Sequence, residues 1–289
     1  MLGRAFGLLA AVAVLLTAAV GVLACVGARP LAMGGAFVGV ADDVNATYWN
    51  PAGLVQLKGV EATWMHTTTN RDEINYQDYA AVAGPIGNNA AAGGSWIRSD
   101  MPLDEAGSIV DNQDWFWISL AAKLCPRASI GANIREMRNS IDGLDTDMAV
   151  DIGLLARITE KLSFGLLVQD ANEPETTGAG DSLVWVRNWR PGLAFRPDES
   201  SLVSFEMYDA ADDGGFRSGR IGYERRLKHG WAVRTGWYGL GQSDVDAFTI
   251  GVGKRDVSEP LDETKAVDLD VTAMIGDIDT ILASVTFKF

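Results

Sequence analysis

From Ile281 to the C-terminus the chain alternates strictly: Ile281, Ala283, Val285, Phe287 and Phe289 fall on one side of an extended backbone, and Ser284, Thr286 and Lys288 on the other. Such a segment is a strand with one greasy face. The same two-residue period sets Phe116, Ile118, Leu120, Ala122 and Leu124 against Trp115, Trp117, Ser119 and Lys123. It returns in Met148 to Ile158, Leu162 to Val168 and Val267 to Ile275. From Lys58 onward about fourteen such segments can be counted, each near the length of a membrane strand and bounded by turn residues. Beyond residue 57 no stretch sustains a helical period.

A soluble β-sandwich also alternates, so the opposite faces decide between the two folds. They carry Asn133, Arg135, Glu206, Arg220, Glu224 and Arg234 together with glycines, which suits a wet or tightly filled lumen, while the apolar faces continue from strand to strand. The 32 glycines and 25 aromatic residues (10 Phe, 9 Trp, 6 Tyr) fit strands joined by turns. Connections alternate too. Short turns at Pro85 to Asn88, Cys125 to Arg127, Thr159 to Lys161, Pro197 to Ser200 and Lys228 to Gly230 are interleaved with generally longer acidic loops. These loops are Ser99 to Asn112, Asn172 to Ser182 and Asp209 to Gly215, with shorter ones at Asn139 to Gly143 and Gly276 to Asp279. Asp256 to Glu263 breaks the rule as a long connection on the short-turn side. Trp64, Trp185, Trp189, Trp231 and Trp237, near strand ends, suit interfacial girdles. The expected fold is all-β: a transmembrane antiparallel β-barrel of about fourteen strands, closed because lipid leaves no water to satisfy an open edge.

The N-terminus reads differently. Arg4 precedes an uncharged apolar stretch, Ala5 to Ala24, that ends in small residues, the pattern of an export signal. The expected division is signal peptide 1–24, N-terminal segment 25–57 and barrel 58–289. An uncleaved anchor is the other reading of the stretch. Cleavage can fall after Ala24 or Ala28, and Cys25 after Val22, Leu23 and Ala24 loosely matches a lipobox. Cys125 is the second of only two cysteines, so neither a disulfide framework nor a cysteine metal site is indicated. The net charge of −14 is unsuited to nucleic acid.

In the segment before the barrel, Ala41 to Tyr48 suits a short helix capped by Asp42 or Asp43, with Asn50, Pro51 and Gly53 ending it. The order Arg29, Met33, Gly34, Gly35, Ala36, Phe37, then Ala41, Asp42, Asp43, then Tyr48, Trp49, Asn50, Pro51, Ala52, Gly53, Leu54 resembles the N-terminal signature of the FadL superfamily of outer-membrane proteins. Its YWNPAGL form is nearer the PorV/PorQ-like short members. The resemblance implies a fourteen-stranded outer-membrane barrel whose leading segment folds into the lumen as a hatch, or plug. It also implies one of two roles: passive transport of hydrophobic small molecules, or a surface adaptor for secreted proteins in type IX secretion. The terminal Phe289 is similar to the signal read by the barrel assembly machinery.

On this reading Gly34, Gly35, Asp42, Asp43, Trp49, Asn50, Pro51, Ala52 and Gly53 form the hatch motif. Asp42 and Asp43 are expected to meet lumenal arginines such as Arg135, Arg190, Arg220 or Arg234, because a buried carboxylate needs a partner. His66 and His229 have ordinary strand and turn settings, and no nucleophile, phosphate-loop or metal motif is present. No cofactor and no catalysis are expected. The acidic loop at Asp209, Asp212 and Asp213 lacks the ligand spacing of a calcium loop.

Overall fold

The computed structural model describes residues 26–69, 76–102, 110–140, 145–178, 181–210, 218–241, 246–259, 262–276 and 279–289. The export signal and the Cys25 lipobox lie outside them. The leading segment holds two short helices, α1 (Ala28–Ala32) and α2 (Ala46–Trp49), then a 3-10 turn, Pro51–Gln56. The strands that follow are β1 (Glu61–Thr69), β2 (Tyr76–Ile86), β3 (Ala90–Pro102), β4 (Val110–Cys125), β5 (Ala128–Arg138) and β6 (Asp145–Thr146). Next come β7 (Ala149–Arg157), β8 (Leu162–Gln169), β9 (Glu175–Gly178), β10 (Asp181–Val184), β11 (Asn188–Asp198) and β12 (Ser201–Tyr208). The last are β13 (Ser218–Arg226), β14 (Trp231–Leu240), β15 (Ala247–Glu259), β16 (Asp262–Gly276) and β17 (Thr280–Lys288).

Fourteen of these strands close into one antiparallel barrel, each paired with its neighbour along the chain; β6, β9 and β10 form a separate three-stranded sheet. Closure joins β1 to β17 from Glu61 opposite Lys288 to Thr69 opposite Thr280. The Phe289 amide extends the seam by donating to the Val60 carbonyl. With no free edge in the barrel, every strand is paired on both sides.

The alternation resolves into an inside and an outside. Ile118, Leu120, Val271 and Ile281 point outward and are 67%, 59%, 54% and 60% exposed. Asn133, Arg135, Glu206, Arg220, Glu224 and Arg234 are all buried on the inward face. Trp64, Trp189, Trp231 and Trp237 also lie on the outer surface. Trp185 does not: its ring meets Trp115 edge-on at 5.9 Å and its indole N–H donates to Thr176. The girdle expectation fails there because Trp185 follows the small sheet and is carried over the lumen.

The long connection expected at Asp256 to Glu263 is instead strand up to Glu259 and again from Asp262. β15 continues to Glu259, whose register partner is Asp262 at the start of β16. Backbone pairing alone extends this ladder and needs no apolar alternation, so the sequence pattern could not reveal it. Asn172 to Ser182 likewise contains β9 and the start of β10.

Candidate functional site

The leading segment lies against the inward faces of the barrel strands. Most of its side chains from Val26 to Leu54 are inaccessible to solvent, including Leu31, Met33, Phe37, Val44 and Leu54. Room for it comes from a girdle of inward glycines on β5, β7, β8, β11, β13, β14 and β15. A Cβ on Gly131 would lie 2.5 Å from the Pro51 carbonyl carbon, and one on Gly153 2.2 Å from the Asn50 side-chain oxygen. On Gly165 it would lie 2.1 Å from the Val38 oxygen, and on Gly222 2.4 Å from the Met33 oxygen. Gly192, Gly236 and Gly251 are contacted in the same way by Gly39, Gly34 and Ala32. Such distances leave no space for any side chain.

Little of the segment is regular structure, so its carbonyls need partners from outside itself. Inward hydroxyls and amides of the barrel supply them. Thr272 donates to Ala28 O, Thr249 to Ala32 O, Ser163 to Gly39 O, Asn133 to Thr47 O and Ser129 to Ala52 O, at 2.6–3.1 Å. In the other direction the amides of Phe37 and Val38 donate to one carboxylate oxygen of Glu206, at 3.0 and 3.1 Å. Alternation places these side chains on the inward face, but that each meets a carbonyl of the leading segment is not visible in the sequence.

The signature residues are placed as follows. Gly34 and Gly35 have φ of 61° and 70°, a left-handed turn that favours glycine; a Cβ on Gly34 would also strike the backbones of Ile221 and Trp237. Helix α2 is shorter than the sequence suggested. Asn45 occupies the position before it, while the Asp43 carboxylate accepts from the Asn45 backbone amide. Asn50 is extended, at φ −170°, which breaks the helix before Pro51 opens the 3-10 turn. Gly53 marks a close chain crossing, where a Cβ would sit 2.0 Å from Ala41 O. Trp49 donates its indole N–H to Val26 O, tying the segment back on itself.

Asn50 is fully buried. Its amide nitrogen donates to Val38 O at 2.9 Å and to Leu154 O of β7 at 3.0 Å, while its side-chain oxygen accepts from the Ala52 amide. Asn50→Ala therefore strips three buried backbone groups of their partner and is expected to destabilise the folded protein by about 1–3 kcal/mol. A lowered midpoint of thermal unfolding in detergent is the measurement; an unchanged midpoint would show that the three bonds contribute nothing.

The expected pairing of Asp42 and Asp43 with Arg135, Arg190, Arg220 or Arg234 is corrected. Both carboxylates are held by Arg29 of the same segment, at 2.7 Å each, and Asp42 also meets Arg196 of β11 at 2.9 Å. Arg29 completes its fork on Glu224 of β13 at 2.8 Å. The four proposed arginines are already engaged by barrel carboxylates: Arg135 by Asp170, Arg190 and Arg220 by Glu206, and Arg234 by Glu224 and Asp270. Local geometry explains the result, since a planar guanidinium can bind carboxylates along two edges. Burial alone would raise the Asp42 carboxyl, but the Arg29 and Arg196 guanidiniums outweigh it and hold the group well below the usual carboxylate range.

On the loop side of the glycine girdle the inward surface becomes aromatic and cationic. Arg190 and Arg220 lie 5.2 and 5.8 Å from the Trp49 ring, and Arg220 lies 4.6 and 4.4 Å from Tyr208 and Tyr238. Tyr48 meets Trp117 edge-on at 5.8 Å, Trp117 stacks with Trp115, and Arg135 covers Trp115 at 5.0 Å. The rings are packed on one another and buried, Trp49, Trp117 and Trp115 being only 2%, 3% and 6% exposed, so this level of the lumen is a filled aromatic layer.

The chain is a closed fourteen-stranded antiparallel barrel with its N-terminal residues packed inward, and solved structures share its overall fold. Over 91% of this chain and 98% of the other, the Pseudomonas putida toluene transporter TodX matches with a TM-score of 0.64 at 11% identity. The Ralstonia pickettii toluene transporter TbuX matches over the same shares with a TM-score of 0.63 at 12% identity. A FadL homologue of Pseudomonas aeruginosa matches with a TM-score of 0.59 at 11% identity, over 89% of this chain and 96% of that one. At such identities the likeness is one of fold. No family model and no curated protein matches the sequence.

Proposed function

We propose that the protein is an outer-membrane barrel of the FadL type that passes hydrophobic small molecules through its lumen, with residues 25–57 as the hatch. The observation that carries this reading is the aromatic layer of Tyr48, Trp49, Trp115, Trp117 and Trp185 inside the loop-side half of the barrel. The layer is packed in this structure, and an apolar solute moving inward would have to part its rings before reaching the segment that fills the girdle. The fold shared with toluene transporters supports the same solute class. Membrane placement is supported by the exposed apolar belt, whose side chains would otherwise face water. Among the described residues no helix is long and apolar enough to cross a bilayer, so crossing falls to the strands.

The test is influx of a small apolar fluorophore into vesicles bearing lipopolysaccharide, with and without the purified barrel. Influx is expected to rise with protein. Trp117→Ala is expected to slow it roughly threefold to tenfold, the size of a lost aromatic contact. Influx equal to that of protein-free vesicles, with the barrel folded, would refute the reading.

The adaptor role for secreted proteins has a specific observation of its own. Met148, Val184 and Val186, around the small outer sheet, are 64%, 42% and 69% exposed, an apolar cluster that could receive a protein partner. Cross-linking from a photoreactive residue at position 186 separates the roles, because a channel gives no discrete cross-linked species. The outward, 64% exposed Phe289 at the barrel seam supports recognition by the assembly machinery.

A further inference from the structure

The cations of the barrel are not spread evenly around its lumen. At the short-turn mouth, strands β4, β7 and β11 end in the inward residues Lys123, Arg157 and Arg196, and the turns between strands add Arg127 and Lys161. Together they surround a basin of about 480 Å³ whose wall toward the barrel axis is formed by Val55 and Gln56 of the 3-10 turn. Only one carboxylate, Glu160, lines the basin with them. It pairs with Arg127 at 3.4 Å between side chains 63% and 79% exposed, a contact of little strength.

Among the described residues, three of these cations have no counter-charge. Lys123 donates to the Asn88 carbonyl and Lys161 to the Pro197 carbonyl, both neutral acceptors. The Arg157 guanidinium has no ion pair among the described residues. Cations converging on a concave wall focus their field and favour one multivalent anion over several monovalent ones. Arg196 differs because its guanidinium also holds Asp42 of the leading segment, at 2.9 Å.

We propose that this basin binds a compact multivalent anion bearing phosphate or carboxylate groups. Lys123, Arg157 and Lys161 hold it, and Arg196 is shared in competition with Asp42. An anion that recruits Arg196 weakens one of the two guanidinium contacts of Asp42 and leaves the other, from Arg29. Linkage requires the converse: loosening Asp42 raises the affinity for the anion. The basin thus couples the solution on the short-turn side to the seating of the leading segment, whatever solute the lumen carries.

The experiment is calorimetric titration of the full chain in detergent with inorganic pyrophosphate, against sodium chloride of equal ionic strength. Pyrophosphate is expected to bind saturably at one site, and chloride to give no saturable heat. The double variant Arg157→Gln with Lys161→Gln is expected to weaken binding by about tenfold or more, and Asp42→Asn to strengthen it roughly threefold. Lys228→Gln, on a short turn outside the basin, serves as the control and is expected to match the parent. Folding of each variant is checked by its heat-modifiable migration. Lys123→Gln, whose amine rests only on a turn carbonyl, replaces the double variant should that one fail to assemble. Binding that survives loss of the basin cations, or that chloride reproduces, overturns the site; unchanged affinity in Asp42→Asn overturns the competition.

Discussion

Glu206→Gln is expected to produce the largest loss of stability of any single replacement in the lumen, about 3–5 kcal/mol, the size found when one partner of a buried ion pair is removed. Glu206 is fully buried and serves four groups at once. One carboxylate oxygen accepts from Arg190 at 2.6 Å and from Arg220 at 3.1 Å; the other accepts from the amides of Phe37 and Val38. Glutamine keeps the shape but leaves two guanidiniums beside Trp49 with no counter-charge and gives one of its polar atoms the wrong hydrogen-bonding sense. Unfolding is expected at a clearly lower temperature, with the leading segment more open to protease. The control is Glu136→Gln, since the Glu136–Arg138 pair is 48% and 65% exposed and should matter little. Equal unfolding temperatures for the two variants would show that Glu206 does not hold the lumen together.

Gly165→Val should act on the seating of the segment more than on the barrel. Even the first added carbon would lie 2.1 Å from Val38 O and 2.9 Å from the Gly39 Cα, so the segment has to shift. Its cross-strand partner is Gly192, also pressed by Gly39, and that side has no slack. Overpacking of this kind costs roughly 1–3 kcal/mol, and the cheapest relief is withdrawal of the segment. Conductance of single barrels in planar bilayers is the measurement. A raised conductance in Gly165→Val with retained heat-modifiable migration is the expected result. Parent-like conductance would mean that the barrel wall bends instead. Leu166→Val, the next residue along but facing outward, should leave conductance unchanged.

The strands and their closure were legible in the sequence because the constraint behind them is local and repeated. A wall that is apolar outside and polar within imposes a period of two, and Ile281 to Phe289 displays it without ambiguity. The N-terminal signature was legible as a block of residues distinct in texture from the strands. Pairings across the lumen were not. Arg190, Glu206 and Arg220 belong to three strands, and nothing in their spacing says that one carboxylate serves both cations. Arg29 could have been found: it is the sole cation between residues 26 and 57, and a segment buried with two aspartates would draw on its own counter-charge first. The glycine girdle was visible only as glycines scattered among strand residues, since its meaning depends on register. Gly131 opposite Gly153, Gly165 opposite Gly192 and Gly222 opposite Gly236 become one level only when the sheet is closed.

That level has a consequence for which substitutions the protein can tolerate. In a water-soluble domain the centre resists change and the periphery drifts. In this molecule the outer aliphatic positions touch nothing specific and can interchange among valine, leucine, isoleucine and phenylalanine. The seven glycines of the girdle are held to their size by the leading segment, so any side chain there displaces it. A saturation library selected for a seated leading segment would therefore show an inverted tolerance map, permissive on the greasy rim and depleted at Gly131, Gly153, Gly165, Gly192, Gly222, Gly236 and Gly251.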